Sequence, residues 1–149
     1  MNLYLGFSCK GFLIVLLPML PNILFFLYPN AIASGDIVKG HKVLDIIEHG
    51  SQIIFIAFLL FYKSKQEVTI RSAYVLGMVI FLVSYYVLWV LLFGGNKTLI
   101  VLICMAIFPV VYFILAEVWL HNYIAIIFTM IFGFVHVMIT YMDYQSVHA

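Results

Sequence analysis

The scarcest commodity in this sequence is charge. Only 9% of its 149 residues are charged and the net charge is +1, whereas a soluble domain is about a quarter charged. That scarcity excludes an ordinary water-facing surface. The absence of a basic run excludes a nucleic-acid partner. Cysteine is equally thin: Cys9 and Cys104 stand far apart, outside any CxxC or metal spacing, which excludes a disulfide framework. Both read as small buried apolar residues. Also missing are a Gly-rich phosphate loop, a Ser-His-Asp order and an HExxH helix motif, so no cofactor is named.

What fills the sequence is apolar. The hydrophobic share is 66% and the mean hydropathy +1.20. A chain this short keeps much of its surface exposed, so that surface faces lipid. In lipid only helices and closed barrels satisfy the backbone, and the apolar runs are continuous rather than alternating, which selects helices. The fold class expected is all-α, a polytopic transmembrane bundle forming one domain over residues 1–149, with the lipid bilayer as its solvent.

About 20 apolar residues cross the hydrocarbon core. Five runs qualify: 11–28, 43–62, 72–93, 98–118 and 122–142. The first run imitates a secretory signal, with Lys10 before it and Ala31-Ile32-Ala33 after it. It is longer than such a region and contains Pro18 and Pro21, so it is read as a span, with cleavage of the native protein left open. Pro29, Asn30, Ser34, Gly35 and Gly40 mark the loop after it. The last two runs form one stretch, Thr98 to Met142, roughly 65 Å long as a single helix, so it must fold back. The polar break at Glu117 and His121-Asn122 is the place, although it has neither Gly nor Pro.

Lys10, Lys63, Lys65 and Arg71 then share one side, against Lys39, Lys42 and Lys97 on the other. The positive-inside rule puts the N-terminus in the cytoplasm. A bacterial plasma membrane is the expected location, since the chain length and span count resemble those of many small bacterial membrane proteins. Tyr62, Trp89, Trp119 and Tyr144 lie near span ends, as an interfacial belt does.

Ionisable residues within spans are costly and face a bundle interior or a wet cavity. Span two opens with Asp45, Glu48, His49 and Gln52, a polar stripe on an otherwise apolar helix. Asp45 also suits a solvated first turn; for Glu48 and His49 the competing reading is snorkelling or simple interhelical bonding. Span five carries Asn122, Thr129, His136 and Asp143, spaced by seven and so on one face. For Asn122, Thr129 and the neighbouring Gly133, a packing seam is the better reading; a histidine deep in a span is harder to explain so. Counting spans brings Glu48, His49 and His136 into one layer near the outer face, with Asp45 and Asp143 nearer water. Glu48, His49 and His136 are weak candidates for a divalent metal.

In span one, Pro18 and Pro21 predict a kink or opening near mid-membrane. The freed carbonyls and the Asn22 amide then need partners from protein or water. Pro109 in span four is read as an ordinary kink, and Glu117 with His121 as an exposed interfacial pair beside Trp119. Asn96-Lys97-Thr98 fits a glycosylation sequon but lies against a span.

Three functions compete. The first is binding or transport of a small molecule or ion through a titratable polar layer, with Glu48, His49, His136, Asp45, Gln52, Asn22 and Asp143 as the binding set and a homo-oligomer as the assembly. The second is a membrane-embedded enzyme using Glu48, His49 and His136 as acid, base or metal ligands. The third is an accessory or immunity protein without chemistry of its own.

Overall fold

The computed structural model describes residues 3–27, 41–66, 68–70 and 72–148. Tyr28, the loop signals Pro29, Asn30, Ser34, Gly35 and Gly40, the Ala31-Ile32-Ala33 site, Lys39, Glu67 and Arg71 lie outside them. The protein is a transmembrane helical bundle of five helices: α1 (Cys9–Leu27), α2 (Lys42–Phe61), α3 (Ala73–Phe93), α4 (Leu99–Trp119) and α5 (Tyr123–His148). Helices α2 to α5 are long and apolar enough to cross a membrane, and α1 is a shorter apolar helix. The end where α1, α3 and α5 begin is called the near end, and the other the far end.

The bundle is inside-out by the standards of a soluble protein. Ile100 is 76% exposed and Phe134 72%, a surface that only lipid solvates without cost. Helix α2 packs on α5, α5 on α4 and α4 on α3, while α1 lies against α2, α3 and α4. The core is aromatic at its centre: Phe55 of α2 meets Phe113 of α4 at 5.0 Å and Phe132 of α5 at 5.5 Å between ring centroids. Small residues permit the closest approaches. A side chain at Gly133 would meet Val110 at 2.6 Å, and one at Gly11 would stand 1.9 Å from the Leu59 carbonyl.

Two features depart from the expected pattern. A short antiparallel strand pair, β1 (Leu3–Leu5) with β2 (Tyr62–Ser64), sits at the near end in the register Leu3↔Ser64, Tyr4↔Lys63, Leu5↔Tyr62. Just beyond it, the Gly6 and Ser8 N–H groups donate to the carbonyls of Phe61 and Leu60. These belong to the last turn of α2, whose acceptors have no helical donors of their own. The pairing thus caps α2 while it guides the chain into α1.

The second is the α4–α5 turn. Both turns joining α3, α4 and α5 are Schellman motifs. After α3, Gly95 N–H donates to Leu92 and Asn96 N–H to Leu91, with Gly95 at φ 88°. After α4, His121 N–H donates to Val118 and Asn122 N–H to Glu117, with His121 at φ 55°. Histidine is one of the non-glycine residues that more often visit this left-handed region, which is how the chain folds back without Gly or Pro.

Several side chains sit differently from the sequence expectation. Cys9 is exposed and Cys104 half-buried, with Cys9 at the first position of α1. Trp89 is 7% exposed and packs between Phe25, Tyr85 and Phe93, so it belongs to the interior rather than to an interfacial belt.

Candidate functional site

The seven-residue spacing on α5 becomes a polar spine through the bundle. Successive members stand about 10 Å apart along the axis, and each is met by a different group. Asn122, at the near end, donates from Nδ2 to the Phe58 carbonyl of α2 at 2.9 Å. Thr129 donates from Oγ1 to Glu117 Oε1 of α4 at 2.5 Å. His136 Nδ1 lies 2.5 Å from Glu48 Oε1 of α2. Asp143 faces His41, which precedes α2, with Oδ1 and Nε2 3.6 Å apart.

The two far-end pairs follow from antiparallel packing. His41, at the N-cap of α2, and Glu48 are seven residues apart, and Asp143 and His136 are seven residues apart on α5, so the two rows match level for level. The polarity alternates, histidine to carboxylate and then carboxylate to histidine. The inner pair is the more enclosed partner set, with the Glu48 side chain 13% exposed and that of His136 34%. The His136 ring also stacks on Phe132, 5.1 Å between centroids and 14° from parallel. Below this level the Phe55, Phe113 and Phe132 rings fill the space before Thr129 and Glu117.

The structure brings Glu48 and His136 together and places Asp143 one level nearer the far end. It leaves His49 outside. Glu48 and His49 are consecutive, hence about 100° apart on the helix, and form the two edges of the polar stripe. The Glu48 edge faces α5. The His49 edge is exposed, with Nδ1 donating to the Asp45 carbonyl at 2.7 Å. Asp45 and Gln52 are half-buried on the same stripe. With His49 turned away, the expected metal trio does not converge, and among the described residues no three His, Cys, Asp or Glu side chains gather to hold a metal ion.

Glu117 corrects the expectation of an exposed pair at the interface. Its exposure is 0%, as is that of Thr129, and Asn122 shows 1%. The last turn of α4 is covered by the start of α5, because the tight turn at His121 folds one directly onto the other. Oε1 is bonded to Thr129 and Oε2 has no partner among the described residues.

The proline-bearing helix supplies a second polar connection. Helix α1 runs through Pro18 and Pro21, each of which deprives the carbonyl four residues earlier of its donor. Those carbonyls are Ile14 and Leu17. Tyr112 of α4 donates its hydroxyl to the Ile14 carbonyl at 3.1 Å, and Tyr86 of α3 donates to the Leu17 carbonyl at 2.6 Å. Asn22 Nδ2 reaches the Pro18 carbonyl at 3.4 Å and the Tyr85 hydroxyl at 3.5 Å. Protein rather than water therefore meets the demand that the prolines create.

Sequence reasoning missed Glu117, His41 and the three tyrosines. His41 carried a signal, since it stands seven residues before Glu48. The tyrosines carried none: the proline rule names the carbonyls in need, not their donors. No family model matches this chain, and no curated protein or solved structure matches it either.

Proposed function

We propose that this integral membrane protein binds or carries a small molecule or ion, with the Glu48–His136 couple exchanging a proton for it. The observation that carries this reading is the 2.5 Å approach of Glu48 Oε1 to His136 Nδ1 between two membrane-spanning helices. In this reading the proton of the resting pair sits on the imidazole and balances the carboxylate charge. A cation that binds Glu48 takes the place of the imidazolium, and the freed imidazole then releases its proton. The carboxylate does not serve both partners at once, and that exclusivity is the coupling. His41 and Asp143 form the outer step between the far end and the pair. Intramembrane carboxylates and histidines are typical of such pathways.

The same reading puts the protein in a bacterial plasma membrane with the near end in the cytoplasm, in keeping with Lys10, Lys63 and Lys65 at that end. A five-helix chain has few helices with which to enclose a path, so a homo-oligomer belongs to the reading.

The test is pH-jump flux in proteoliposomes, screening monovalent and divalent cations against an internal pH dye. Cation entry should be matched by proton exit, and Glu48→Gln with His136→Ala should abolish both. Equal flux in that double variant would overturn the reading.

A second reading has its own support. All four polar side chains on the α5 spine face partners inside the bundle, which is what helix-to-helix adhesion in lipid requires. An accessory or immunity protein of that kind would keep its partner when Glu48 and His136 are both replaced by Leu. Loss of a co-purifying partner in that variant would count against it.

A further inference from the structure

The near end, remote from the Glu48–His136 pair, has a half-open cavity of about 490 Å³ between the chain entering α1, the strand after α2 and the turn after α4. Its polar wall is formed by Ser8, Lys10, Tyr62, Lys63, Ser64 and Gln66, with Cys9, Val68 and Leu120 on the apolar side. The wall is rich in donors, and among the described residues that line it there is no carboxylate. Ser8 Oγ already accepts from the Gly11 N–H at 3.0 Å, and Ser64 Oγ from the Gln66 N–H at 3.1 Å. Both hydroxyls therefore keep their protons for a guest.

The two lysines are placed by the fold. Strand register sets Lys63 opposite Tyr4, and its stem runs beside Gly6. Lys10 lies over the Trp119 ring, with Nζ 5.6 Å from the centroid. Among the described residues no carboxylate pairs with either. Both lysines line the one cavity; their like charges repel each other, and a shared anion reverses the sign of that interaction. The cavity also sits where α1 begins and α2 ends, and the ends of spanning helices are where head groups lie.

We propose that this cavity binds a phosphate-bearing anion, held between Lys10 and Lys63 with the serine hydroxyls as further donors. Two ammonium groups and several neutral donors suit a group with three or four oxygens better than a carboxylate with two. Basic pockets at the ends of membrane helices take lipid phosphates in this manner. The site shares no residue with the α5 spine, so its failure leaves the proposed function standing, and the reverse.

The experiment is calorimetric titration of the detergent-purified full chain with two probes, short-chain phosphatidylglycerol and inorganic phosphate. Binding by either supports the site, and whichever binds names the source, lipid head group or free anion. Lys10→Gln with Lys63→Gln should weaken binding roughly thirtyfold, and Lys63→Gln alone about fivefold. The corresponding pair of Arg variants should restore it. Lys65→Gln, an exposed charge at the same end that does not line the cavity, should change affinity less than twofold. Binding of neither probe, wild-type affinity in the paired Gln variant, or an equal loss in Lys65→Gln would each overturn the proposal. The single variant keeps the result readable if the paired one does not fold.

Discussion

At the scale of single residues, the Pro18–Ile14–Tyr112 arrangement makes a quantitative claim. An unmet acceptor in the interior costs about 1–3 kcal/mol, so Tyr112→Phe should destabilise the protein by that amount, read as a lower melting temperature in detergent. Pro18→Ala returns an N–H to the helix and with it a donor for the Ile14 carbonyl. The Tyr112→Phe cost should therefore largely disappear in the Pro18→Ala background. A thermal-melt double-mutant cycle reads the difference directly. Purely additive effects would mean that the hydroxyl does not compensate for the proline. The same logic separates what was legible in these residues from what was not. Proline's defect is local, so the need was readable from two letters. Its remedy lies 98 positions away in the chain, where only the packed bundle chooses the donor.

At the scale of elements, the turn between α4 and α5 is the informative one. Histidine at φ 55° holds a conformation that costs a β-branched residue about 1–2 kcal/mol. His121→Val should destabilise by about that much, while His121→Gly should cost little, since glycine adopts this region freely. Equal losses in chemical denaturation would contradict the turn as described. The existence of the helices was legible because long apolar runs leave lipid few alternatives, and the α5 face because a spacing of seven keeps residues aligned. The β1–β2 pair was not, because three-residue strands without alternation carry no pattern. Glu117 was misread because it stands beside Trp119 at the end of a run, where an interfacial position is the natural inference. Whether a helix end is covered depends on how sharply the next helix turns back, and φ at His121 decides that. His49 was included with Glu48 because a polar stripe about 100° wide reads as one face, whereas a neighbouring helix covers only part of it.

At the scale of the whole molecule, the alternation of five helices fixes which positions share a side of the membrane. Cys9 is exposed at the near end, and the Asn96 turn lies at the far end. In a Cys104→Ser background, an impermeant maleimide should label Cys9 from one side of sealed vesicles only. With Cys9 also replaced by Ser, a cysteine placed at Asn96 should be labelled from the other side only. Labelling of both from the same side would break the helix alternation, and with it the meeting of α2 and α5 at a common level. The histidine–carboxylate pairs exist only because those two helices run in opposite directions.

The tyrosine bonds to α1 have a consequence for how the protein is made. Ile14 and Leu17 leave the ribosome 98 and 69 residues ahead of Tyr112 and Tyr86. At synthesis rates of about 5–20 residues per second, that is an interval of several seconds. Throughout it, α1 carries two carbonyls that hydrocarbon does not solvate. Helix α1 is thus poorly suited to rest in the bilayer alone. Its settled place comes only after α3 and α4 have been threaded, so the order of synthesis and the order of assembly run in different directions.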